Sequence, residues 1–231
     1  MENLNPNPNK TIINFSVKTE VWPILAILIG IIASLFAYPS LPATVASHWN
    51  IQGQVDGWMS REFHTIFFPA LLIGIYLLMN FIPRLDPRKG RYQEFASVYL
   101  LIRNLIISAL LIIFLAATFY NLGYNLNIGA ITAGTIGVLM IIMGNYFGKL
   151  KRNWFIGIRT PWTLSSENSW NKTHRLGGKI FIIWGLLLMI TPWLSPSYAL
   201  ITLGSLLVAI PVIFIYSYFV YKKDKKHNTQ K

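Results

Sequence analysis

The stretch Val21-Trp-Pro-Ile-Leu-Ala-Ile-Leu-Ile-Gly-Ile-Ile-Ala-Ser-Leu-Phe-Ala-Tyr38 carries no charged side chain and stops at Pro39. Hydrocarbon offers a backbone no hydrogen-bonding solvent, so an apolar run of about 20 residues crosses it as a helix. Five further runs read the same way: Thr65–Ile82, Ala96–Tyr120, Ile128–Phe147, Gly178–Leu194 and Tyr198–Tyr221. Pro69 and Pro211 fall inside spans. Membrane helices tolerate this where neighbours satisfy the freed carbonyls. The predicted fold class is therefore all-α, a polytopic membrane protein with six transmembrane helices. Composition agrees, because only 12% of residues are charged, against roughly 25% in a soluble domain.

The Lys and Arg residues set the orientation. Two lie in the N-terminal tail, four between spans two and three, and five in the C-terminal tail. Another six lie in the loop after span four, with Lys179 just beyond it. The alternate connections hold only Arg61, and Arg103 sits within span three. The positive-inside rule places the basic side, and with it both termini, in the cytoplasm. The chain divides into a polar tail (1–20), two spans with an outer loop at 39–64 (21–82), and spans three and four (83–147). An inner loop (148–177), spans five and six (178–221) and a basic tail (222–231) follow. The net charge of +12 is then explained by topology and by membrane lipids as partners. No nucleic-acid-binding motif is present, so direct nucleic-acid binding is not expected.

With no cysteine in the chain, disulfides, thiolate nucleophiles and Cys-ligated metals are excluded. Residues 1–20 lack the apolar core and cleavage site of a signal peptide, so the first span is expected to remain as a helix. No nucleophile elbow, HExxH pair, phosphate-binding glycine loop or paired carboxylate occurs. The expectation is a protein that is not an enzyme and needs no cofactor.

Two loops are long and rich in aromatics and glycine, which favours order over a solvated spacer. In the outer loop, Trp49 and Trp58 suit the headgroup region. Gly53 permits a turn, and Asp56-Gly57 is itself a turn signal. His48, Asp56 and His64 match no zinc spacing, so no metal site is expected. In the inner loop, Ser165 is placed to cap a helix with Glu167 in its first turn. Trp170, His174 and Gly177 then share one face and Lys172, Arg175 and Lys179 the opposite one. His174 beside Arg175 is not a catalytic constellation.

Within the spans, Arg103 is expected to snorkel to the cytoplasmic interface. No carboxylate falls in the bilayer, which argues against a proton- or sodium-coupled transporter. Ala130 with Gly134, Ala133 with Gly137, and Gly144 with Gly148 mark packing seams that would make span four a central helix.

The inner run Gly144-Asn145, Asn153, Gly157-Ile158-Arg159-Thr160-Pro161-Trp162-Thr163-Leu164, Glu167 and Trp170 resembles the signature of the SdpI immunity-protein family. Leu41-Pro42, Trp49 and Gly53 resemble the extracytoplasmic motif that commonly precedes it. The resemblance implies a bacterial plasma-membrane protein that protects a cell from a secreted antibacterial peptide toxin. It also implies a receptor that holds a transcriptional repressor at the membrane. On that reading, His48, Trp49, Asn50, Gly53 and Asp56 are the candidate toxin contacts. Asn153, Gly157, Arg159, Thr160, Pro161, Trp162, Trp170, His174 and Arg175 are the candidate contacts of the cytoplasmic partner. The six-span layout leaves a small peptide or solute exporter as the alternative.

Overall fold

A computed structural model describes residue 13 and residues 16–228. Most of the 1–20 tail and the last three residues of the basic tail lie outside them. Six helices are long and apolar enough to cross a membrane. They are α1 (Val17–Ala37), α2 (Arg61–Leu85), α3 (Ala96–Asn121), α4 (Ile128–Phe147), α6 (Glu167–Ile190) and α7 (Pro196–Asn228). A short helix, α5 (Pro161–Ser165), lies in the inner loop, and 3₁₀ turns occupy Tyr38–Ser40, Lys89–Phe95 and Thr191–Trp193.

The outer loop is a β-hairpin, β1 (Thr44–Trp49) antiparallel to β2 (Val55–Ser60). It turns at Asn50–Gln54, with Gly53 at φ +77°. Asp56-Gly57, read as a turn, lies inside β2 instead. Gly57 is needed there for close approach, since a Cβ on it would sit 2.8 Å from the His48 Cβ.

Helices α1, α2 and α3 pack against one another around Ala26, Leu72, Ile107, Leu111 and Phe114. Tyr92, Phe95, Tyr99, Phe147, Leu150 and Trp170 form a second core at the basic end. Helix α4 joins the two halves, packing on α3 and most extensively on α6. Of the expected seam residues, Gly137 and Gly144 lie on the contact with α6, but paired at a spacing of seven rather than four. Gly137 faces Gly185 and Gly144 faces Gly178, and a Cβ on Gly137 or Gly144 would lie 2.6 Å from the facing carbonyl oxygen. Small residues seven apart on both helices thus let the two backbones touch. Gly134 meets nothing within 4 Å. Helix α4 is not central, because most of its remaining surface is partly open.

Arg103 does not snorkel. It is fully buried, and its guanidinium pairs with Glu20 at 3.0 Å and reaches the Asn80 amide oxygen at 2.6 Å. Helix α1 begins four residues before the apolar run, so Glu20 lies inside it. A carboxylate is therefore present in the helical bundle, contrary to the reading that none is, but it is matched by a buried cation rather than standing free.

Candidate functional site

Each end of the bundle presents a structured element, and the two are built differently. At one end stands the hairpin. Asn50 closes its turn: the amide oxygen accepts from the N–H groups of Gln52 and Gln54, both at 3.0 Å. His48 and Asp56 face each other across the strands at 2.5 Å and are largely exposed. Trp49 packs edge-on against Tyr120, with ring centroids 5.2 Å apart. Asn121 at the end of α3 anchors the hairpin, accepting from the Ala46 N–H at 2.7 Å and donating to its carbonyl at 3.0 Å. Of the predicted residues, Asn50 and Gly53 build the turn, Trp49 seats it, and His48 and Asp56 face solvent. His64 is not part of this surface. It is buried on α2 and bonded to the Thr118 hydroxyl at 3.0 Å. Among the described residues no group of three His, Cys, Asp or Glu could hold a metal.

The opposite end holds the inner motif, most of whose side chains point inward. Asn153 is fully buried. Its oxygen accepts from the Phe155 and Ile156 N–H groups at 2.9 and 2.7 Å, and its nitrogen donates to the Lys151 and Ile156 carbonyls. Gly157 has φ +108°, and a Cβ there would collide with the His174 ring. That proximity lets the Ile158 N–H donate to His174 Nε2 at 2.9 Å, while Nδ1 faces the Trp170 carbonyl at 2.8 Å. These partners fix the tautomer: Nδ1 carries the proton and Nε2 accepts. Trp170 stacks on His174 at 4.0 Å and donates its indole N–H to the Leu150 carbonyl.

Thr160 caps α5, with Pro161 following as its first residue, where a missing N–H has no consequence. The Thr160 hydroxyl also reaches Ser217 on α7 at 2.9 Å. Trp162 packs edge-on against Phe214 and Tyr218 of α7. The cap of α6 is Ser166, one residue after the Ser165 read from the sequence, and its hydroxyl accepts from the Ser169 N–H. The inner-loop helix and span five are one continuous helix. Its two faces divide as expected: Trp170, His174 and Gly177 are buried and Lys172, Arg175 and Lys179 exposed. Arg159 is exposed and donates to the Trp154 carbonyl at 2.8 Å.

Sequence reading missed what ties this loop to the segment before α3. Buried Asp86 accepts from the Tyr92 hydroxyl at 2.9 Å and the Trp154 N–H at 2.8 Å. Arg91 grips Glu167 through both terminal nitrogens, at 2.7 and 3.0 Å. Arg88 donates to the Leu164 carbonyl at 3.1 Å. Burial, then the neighbouring Arg152 guanidinium, lowers the Arg88 pKa from its ordinary value. The available signal was an acid, Asp86, inside a loop otherwise rich in Arg and Lys.

Residues 149–221 match the SdpI/YfhL protein family. Residues 25–73 match a second family, described as Domain of unknown function (DUF1648). The Immunity protein SdpI of Bacillus subtilis (strain 168) is 27% identical over 208 residues, covering 90% of this chain and 98% of that protein. No solved structure matches. The first match takes in the motif loop, α6 and most of α7, and the relative aligns through the hairpin as well as the motif. The chain is a multi-pass plasma-membrane protein whose C-terminal third is similar to the SdpI/YfhL family and which aligns along most of its length with an SdpI immunity protein.

Proposed function

We propose that this chain is an immunity protein that protects its cell from a secreted antibacterial peptide, and that it acts by binding rather than by catalysis. The alignment of a named immunity protein along 90% of the chain carries this reading. The clustering of Lys and Arg on one side supports placing the inner motif and both termini in the cytoplasm and the hairpin outside.

The hairpin is suited to receive a peptide. Ala46 pairs with Trp58 across the ladder, and Ala46 turns its N–H and carbonyl away from β2, toward Asn121. Trp58 is its opposite in a non-hydrogen-bonded pair, so it turns its own backbone groups away from β1. Its side chain is exposed as well. One edge of the hairpin is thus closed by α3, while the other can add an extended segment. Exposed Asp56 lies on the open-edged strand, paired across the hairpin with His48, and Asn50 and Gly53 shape its tip.

On the inner face, a transcriptional repressor would meet Arg159 and the open side of Trp162. Buried Asn153, Thr160, Trp170 and His174, with Gly157, hold that surface rather than touch a partner.

The test is protection. Expressed in a strain sensitive to a secreted antibacterial peptide of the kind SdpI-like proteins counter, the wild-type chain should restore growth. Trp58→Pro, which removes an outward N–H from an edge strand, should lose protection at unchanged membrane abundance. Growth inhibition equal to that of the empty vector would refute the proposal.

A further inference from the structure

The exposed face of α6 carries cations that form no ion pair among the described residues. Lys172, Arg175 and Lys179 fall within a sector of about 60° and span about 10 Å of helix. Lys149 joins them from the end of α4. Gly148 precedes it, and a Cβ on Gly148 would be 3.4 Å from Arg175 Cγ, so the Arg175 stem lies across the last turn of α4. The Lys149 ammonium sits 4.5 Å above the Tyr146 ring. Among the described residues no carboxylate forms an ion pair with any of these four. Glu167, the acid at the start of α6, is engaged by Arg91 and Arg152.

The cluster lies where apolar helix surface begins. Above Lys179, α6 exposes Ile183, Leu186 and Leu187. A ligand that fits must present anionic oxygens to the cations and hydrocarbon to the helix above them. Phosphodiester oxygens supply the first requirement and acyl chains the second. Two phosphates would bring two negative charges to four cations and would match a stripe of this length better than one.

We propose that Lys149, Lys172, Arg175 and Lys179 form a binding site for an anionic phospholipid, with a two-phosphate headgroup, diphosphatidylglycerol, preferred. The lipid lies along α6 beside the α4–α6 seam, its phosphates on the cationic stripe.

Native mass spectrometry of the full chain in detergent tests this, with diphosphatidylglycerol, phosphatidylglycerol and phosphatidylethanolamine as probes. Wild type should retain diphosphatidylglycerol at least ten-fold better than phosphatidylethanolamine. The triple variant K149Q/R175Q/K179Q should lose at least ten-fold of that retention. The triple variant K222Q/K223Q/K226Q removes equal charge elsewhere and should retain it. K149R/R175K/K179R keeps the charges and should also bind, which separates lost recognition from misfolding. Excess inorganic pyrophosphate should leave the lipid bound. Equal retention by wild type and K149Q/R175Q/K179Q would overturn the proposal, as would equal loss in both glutamine triples or displacement by pyrophosphate.

Discussion

Tyr99 donates its hydroxyl proton to the Met79 carbonyl, the one that Pro83, four residues on, leaves without a helical N–H. One turn further along α3, Arg103 donates at 2.8 Å to the Thr19 carbonyl, which Pro23 leaves open in the same way. Two prolines therefore break the ladders of α1 and α2, and two side chains of α3, four residues apart, repair them. In hydrocarbon such repair is needed, since water cannot supply it. The three helices are joined at this level by polar bonds as well as by packing.

Removing the Tyr99 hydroxyl should leave the Met79 carbonyl unpaired. We expect Tyr99→Phe to cost about 1–3 kcal/mol, read as a lower thermal midpoint in detergent. Pro83→Ala restores the missing N–H, so Pro83→Ala with Tyr99→Phe should recover much of that loss. If the double variant is no more stable than Tyr99→Phe alone, the repair has been misassigned.

Arg103 is held by the Glu20 carboxylate and by neutral oxygens of Asn80, Asn104 and the Thr19 carbonyl. Arg103→Met strands the Glu20 charge in a buried setting and should cost roughly 3–5 kcal/mol. Adding Glu20→Gln should return part of it, though the Thr19 carbonyl stays open. Thermal unfolding of both variants in detergent measures the difference. A full recovery would show that the carbonyl contributes nothing.

The glycines separate by what they touch. Gly144→Leu should split α4 from α6, because even a Cβ there would meet the Gly178 carbonyl oxygen at 2.6 Å. Gly134→Leu should be tolerated, since nothing lies within 4 Å. Cross-linking between α4 and α6 should fall only in the first variant. Equal effects would move the seam back to the four-residue spacings.

Gly157 and Gly53 both have positive φ, but only Gly157 is also crowded. Ala at Gly53 should cost about 1–2 kcal/mol of backbone strain and leave the fold intact. Ala at Gly157 should also push away the His174 ring and open the motif loop. Limited trypsin digestion should then cleave at Lys151, Arg152 or Arg159 faster in Gly157→Ala than in Gly53→Ala.

Apolar length alone located the six helices, because bilayer thickness is a constraint that acts on each segment separately. The hairpin was not legible. Its strands are short, and the strongest turn signal, Asp56-Gly57, lies in β2, where Gly57 serves close packing instead. Gly137 and Gly144 were legible as seam residues, but not their partners Gly185 and Gly178, because those depend on which glycines of two distant segments meet. Arg103 was misread for the same reason: its partner Glu20 is far away in sequence and sat just outside the apolar run. The inner motif was visible as a pattern of residue types. Its physical meaning, with Asn153, Gly157, Trp170 and His174 bracing the loop and Arg159 and Arg175 left outside, required the packed structure.

Sidedness underlies the whole account and can be measured directly, since the chain has no cysteine of its own. In intact cells, a membrane-impermeant maleimide should label Gln52→Cys at the hairpin tip. It should label Ser165→Cys, at the motif end, only after permeabilisation. Labelling of Ser165→Cys in intact cells with protection of Gln52→Cys would contradict the account.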